Sequence, residues 1–222
     1  MRAVKVAFPI RNIEVSKLDQ ALSGLALIGA PILMALGTLF WENGQVGARA
    51  GTFQFYAMAL WIPALLALFA LTKSQMPRLA TLGTWLAFIV CLAGAGWAYD
   101  GMYLTAFSKA GADVAMVNAA VGSMPVAQVL TLQLPGLFFP LILVLAGFSI
   151  WRSNLFPAWV PLLIALGGIG FPLSRIPRIQ LLAHTADLLL LVPLLYIGWH
   201  FVRRSSASRL AKTATRQSAQ KI

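Results

Sequence analysis

Six apolar runs, each long enough to cross a bilayer, dominate this chain. They cover about residues 20–41, 53–73, 79–99, 127–151, 157–174 and 179–202. A hydrocarbon layer about 30 Å thick needs roughly 20 apolar residues in helical form. Inside lipid the backbone must satisfy its own hydrogen bonds, so each run is expected to be a helix. The fold class that follows is all-α: a polytopic transmembrane helical bundle of about six spans. The fifth run is the shortest, and its "GGIGF" and flanking prolines make it interruptible. Composition agrees. The chain is 59% hydrophobic and 10% charged, whereas soluble domains carry about 25% charged residues. The one cysteine, Cys91, lies in an apolar run, so neither an intramolecular disulfide nor a cysteine-based metal cluster is available.

The runs divide the chain into a basic N-terminal segment (1–19), a six-helix membrane domain (20–202) and a basic tail (203–222). The first segment lacks the central apolar run and small-residue cleavage site of a signal peptide. Lysine and arginine set the expected orientation. With the N-terminus inside, thirteen of the seventeen basic residues fall on the cytoplasmic side, and Arg49, Lys109, Arg175 and Arg178 fall outside. Both termini are therefore expected in the cytoplasm. The net charge of +11 reads as a topology signal, and nucleic acid is not expected as a partner. The tail, "RRSSASRLAKTATRQSAQKI", has almost no large apolar groups. It is expected to be disordered and held near anionic lipid headgroups.

Two stretches resemble each other. "LWIPALLALFALTKSQMPR" carries Trp61-Ile62-Pro63, and "AWVPLLIALGGIGFPLSRIPR" carries Trp159-Val160-Pro161; each closes on Pro-Arg. If this is a repeat, it is a 3+3 inverted repeat, because three spans is an odd number. Trp-x-Pro and Pro-Arg are also common at span ends, so ordinary boundary chemistry explains the match as well. Gly83, Ala87, Cys91 and Ala95 recur every four residues, a spacing that lets two helices pack closely. Trp61 and Trp85 lie away from the span boundaries and are expected to pack between helices.

The stretch "LLAHTADLLLLVP" places His184 and Asp187 inside the sixth span. A carboxylate there costs at least about 2.5 kcal/mol on insertion scales. The two residues are three apart and share a helix face, so a His184–Asp187 pair near the midplane is expected. Asp100, Arg175, Arg178 and Glu42 all fall near outer span ends. Together the six residues outline an outward-facing polar vestibule floored by His184 and Asp187. The alternative is that His184 and Asp187 form an interhelical clasp while the rest are solvated helix ends. The long connection 104–126 is mildly amphipathic and reads as a lid or an interfacial helix. His184 and His200 lie about 24 Å apart along one helix and cannot flank one haem iron. No third ligand joins His184 and Asp187 for a metal, and no cofactor is expected. No phosphate loop, nucleophile elbow or His-Glu-x-x-His pattern occurs.

The runs "GWAYDGMYLTAF" and "VLAGFSIWRSNLFPAWVPLLIALGGIGF", with the long outer loop between them, resemble small six-span integral membrane proteins of bacteria. The resemblance covers spans 2 to 5 best. It implies a bacterial inner-membrane location and the six-helix fold, and it brings no activity or active site. Three functions stay open. One is a small transporter-like or permeation protein, for which 222 residues is small enough that a homodimer is expected. Another is a membrane accessory or interaction protein with a structural His–Asp clasp. The last is a membrane-embedded enzyme acting on a lipid or isoprenoid through Asp187 or Glu42; the sequence leans away from an enzyme.

Overall fold

A computed structural model describes residues 17–41, 46–130 and 134–219, the last stretch by backbone alone from 204 onward. The chain is an all-α bundle. Its helices are α1 (Lys17–Leu39), α2 (Ala48–Thr72), α3 (Pro77–Lys109), α4 (Val114–Gly122), α5 (Pro125–Gln128), α6 (Leu134–Ser153), α7 (Trp159–Arg175) and α8 (Gln180–Ala219). Five of these are long and apolar enough to cross a membrane: α1, α2, α3, α6 and α8 as far as Arg203. α7 is an apolar helix of 17 residues, about 25 Å long, matching the short fifth run. The protein is a multi-pass membrane protein.

The six long elements form a closed ring in the order α1, α2, α3, α6, α7, α8, with α8 packed back on α1 and α2 also touching α6 across the centre. α3 and α8 stand on opposite sides and do not meet. Trp61, Phe69, Ile142, Ile164 and Leu194 are fully buried at the middle. Leu92, Ile89 and Leu188 point outward, as lipid-facing side chains should. Trp61 packs between helices as expected, with its ring edge against Phe139. Trp85 is exposed on the outer face of α3, where lipid rather than a neighbouring helix meets it. The tryptophans of the two similar stretches also differ in setting: Trp61 is buried and Trp159 is not.

Small residues set how closely the ring closes. Gly24 of α1 and Gly198 of α8 face each other, and a Cβ on either would meet the other's carbonyl oxygen at under 3 Å. On α3, Gly83 of the four-residue stripe leaves room for Phe69, and Gly94 beside the stripe leaves room for Met58, so α2 packs close there. With no hydrophobic force between helices in lipid, this close contact supplies much of the attraction.

One segment departs from the sequence reading. α3 runs past residue 99, the expected end of the third span, to Lys109, six residues into the expected connection 104–126. The reason is contact with the start of α2: Thr105 accepts a hydrogen bond from the Ala48 amide at 3.1 Å, and Gly101 fits against the Val46 backbone. Most of the rest of that connection forms the short helices α4 and α5. Asp113 caps α4 by accepting from the Ala115 amide at 2.8 Å, and no residue of α4 is buried. The backbone of α8 continues as helix through 203–219. That stretch contains no glycine or proline, and its four alanines and four arginines favour helix. Most of the N-terminal segment lies outside the described residues, as does Glu42.

Replacing Gly198 with Val forces α1 and α8 apart. It is expected to cost about 1–3 kcal/mol, read as a lower unfolding temperature in detergent. Gly122→Ala, at the open end of α4 where nothing lies within 4 Å, should leave that temperature unchanged.

Candidate functional site

Successive helices cross in opposite directions, so one end of the ring gathers the C-terminal turns of α1, α3 and α7 and the N-terminal turns of α2, α6 and α8. α8 lies between α1 and α7 in the ring, and it carries Asp187. The Asp187 side chain is 1% exposed, and an ionised carboxylate so placed must be paired. It accepts a hydrogen bond from the Thr38 hydroxyl of α1 at 2.6 Å. Its other oxygen meets the Arg175 guanidinium of α7 at 2.6 Å. Arg175 also donates to the Thr38 oxygen at 3.2 Å. Thr38 thus accepts from the arginine and donates to the aspartate, and the three side chains close a cycle across three helices.

The arginine is held on its other sides as well. It donates to the Ser174 hydroxyl at 3.3 Å. Its guanidinium lies 4.0 Å from the centre of the Phe171 ring, one helical turn earlier, and 5.8 Å from that of Trp41, within the range of cation–π attraction. Phe171 packs on Phe139, and Phe139 on Trp61, so aromatic contacts run from the bundle centre to the ion pair. As the last residue of α7, Arg175 also complements the negative end of that helix.

A cavity of about 530 Å³ opens beside this cluster, within the usual size of small-molecule sites. α2, α3, α6 and α7 form its walls. Gln54, Arg175 and Arg178 are its polar lining; Trp97, Leu137 and Phe171 are among its apolar lining. Among the described residues, none lining it is acidic. Arg178 sits in the α7–α8 turn with a positive φ of 56°, an uncommon conformation for a bulky residue. Its charge acts on the partly buried Asp100 of α3, nine residues before that helix ends.

The outline drawn from the sequence is therefore rearranged. Arg175 and Asp187 come together, but Asp187 pairs with Arg175 and Thr38, not with His184. His184 is half-buried and takes no part in the cycle. Arginine brings a permanent charge and several donors to the carboxylate, which a half-exposed imidazole does not. Asp187 is level with the last turns of α1 and α7, nearer the membrane boundary than the midplane. Arg175 and Arg178 line the cavity; His184, Asp187 and Asp100 do not. Glu42 lies outside the described residues. Thr38 and Gln54 were missed. The available signal was a lone hydroxyl in "ALGTLFW" and a lone amide in "TFQFYAM", each a polar group in an apolar stretch.

Neither protein-family models, nor curated proteins, nor solved structures give a match to this chain.

Truncating one member of a buried ion pair costs about 3–5 kcal/mol, because the other charge is left unpaired. Asp187→Leu should therefore lower the unfolding temperature in detergent strongly, and Thr38→Val should lower it less. His184→Ala should shift it by no more than about 0.5 kcal/mol's worth. A His184→Ala loss as large as that of Asp187→Leu would restore the His–Asp pairing.

Proposed function

We propose that this chain is a small transporter-like membrane protein that admits a small solute into the cavity beside Arg175. The observation that carries the reading is the cavity itself. It is large enough for a small molecule, lies at one end of the helix ring, and has Gln54, Arg175 and Arg178 as its polar groups among mostly apolar walls. A few fixed polar groups in an apolar cavity are the usual makeup of a ligand site. The buried Asp187 holds Arg175 in place at its edge. The excess of basic residues on the opposite side supports a bacterial inner-membrane protein with both termini cytoplasmic and the cavity facing outward. The basic stretch after Arg203 would then lie near anionic headgroups, and the small chain favours a homodimer.

A second reading has its own observation. Asp187 is fully engaged by Thr38 and Arg175, as expected of a purely structural clasp in an accessory or interaction protein.

Thiol labelling separates the two. In a Cys91→Ala background, Gln54→Cys should react with a membrane-impermeant maleimide added to intact cells, and Gly136→Phe should slow the reaction at least tenfold. Gly136 lines the cavity, and a Cβ there meets nothing closer than the Trp97 indole nitrogen at 3.9 Å, so the larger ring projects into free space. Protection of Gln54→Cys in cells, with labelling only after denaturation, would favour the accessory reading.

A further inference from the structure

Resting on the reading of the cavity as a ligand site, we infer that its ligand is an amphiphile with one anionic head, carboxylate or phosphate, and an apolar body that reaches the cavity from the lipid. Two observations carry this. The first is the rim. Leu137 and Ile176 line the cavity, yet they are 59% and 72% exposed, so they edge its mouth. Trp97, on the facing helix, is also exposed. An apolar, outward-turned rim on a membrane-spanning bundle meets hydrocarbon. The second is the distribution of charge. Among the described residues, Arg175 and Arg178 are the charged ones lining the cavity, and they sit together at the α7–α8 turn.

Asp187 does not use up Arg175. A guanidinium has five N–H groups, and the contacts to Asp187, Thr38 and Ser174 account for three. Asp187 grips the arginine from the side away from the cavity and fixes its direction. The head of a bound amphiphile meets the two arginines at the membrane boundary. Its body lies along Phe171, Phe139 and Trp97, and reaches lipid past the exposed Leu137 and Trp97. An anionic head on a fixed arginine gains a charge-assisted hydrogen bond. A neutral head of the same shape gains none.

The test uses the purified full chain in detergent with a diazirine-bearing palmitic acid and, in parallel, its methyl ester. After irradiation, the attachment sites are mapped by peptide mass spectrometry. The inference expects the acid to attach at Leu137, Ile176 and their neighbours at least tenfold more than the ester. Arg178→Gln should bring the two probes to within twofold. Gly136→Phe, and independently Gln54→Trp on the facing wall, should abolish the attachment. Inorganic phosphate at millimolar concentration should not compete. Equal attachment of acid and ester, both abolished by the filling variants, would overturn the anionic head while leaving the cavity a ligand site. Full competition by phosphate would overturn the amphiphile in favour of a small free anion. Attachment unaffected by either filling variant would overturn the inference outright. If Gln54→Cys were also protected in cells, the transporter reading would fall with it.

Discussion

A carboxylate inside an apolar bundle must be paired, and the way Asp187 meets that requirement organises one end of this molecule. Three helices contribute: α8 the acid, α7 the arginine and α1 the hydroxyl. α1 and α7 share no direct packing, so the polar cycle is what ties them across α8. The same contacts fix Arg175 against Phe171 and so fix one wall of the cavity. Replacing a buried pair by apolar residues is often neutral or stabilising in other proteins. What Asp187 gives this bundle is a defined position for a cation at the edge of a lipid-facing opening.

The rest of the ring obeys a different constraint. Between helices in lipid the attraction comes from close packing, and here it is set by glycines where backbones nearly touch, as at Gly24 and Gly198. The ring thus closes tightly at α1–α8 and at α2–α3. The cavity opens at one end of the ring, among α2, α3, α6 and α7, where bulkier side chains such as Trp97 and Phe139 line the space. Tight closure on one side and a lipid-facing gap on the other belong to one design: the clasp and the glycine contacts hold a frame in which the gap persists.

Much of the fold was legible in the sequence because span length and hydrophobicity are local properties. The six helices, the short α7 and the α3 packing stripe all follow from runs and spacings. What was not legible depends on contacts across the chain. The extension of α3 rests on Thr105 and Gly101 meeting the start of α2. The partner of Asp187 depends on which helix lies on each side of α8. Periodicity placed His184 on the same face as Asp187, but it carried no information about Thr38, 149 positions away. Arg175 was recognised as a site residue and placed at an outer span end, in the vestibule or, alternatively, in solvent. Its descent to the carboxylate follows from the shortness of α7.

The central claim is that Arg175 and Asp187 are energetically coupled as one buried unit. The most direct measurement is a double-mutant cycle on detergent unfolding, with Arg175→Gln, Asp187→Asn and the two combined. Residues sharing one polar network couple by about 0.5–3 kcal/mol. The account predicts a double variant less destabilised than the sum of the singles by at least about 1.5 kcal/mol, within that range. Additivity within about 0.5 kcal/mol would mean that the two residues act independently, and it would contradict the clasp on which the cavity's charged edge depends.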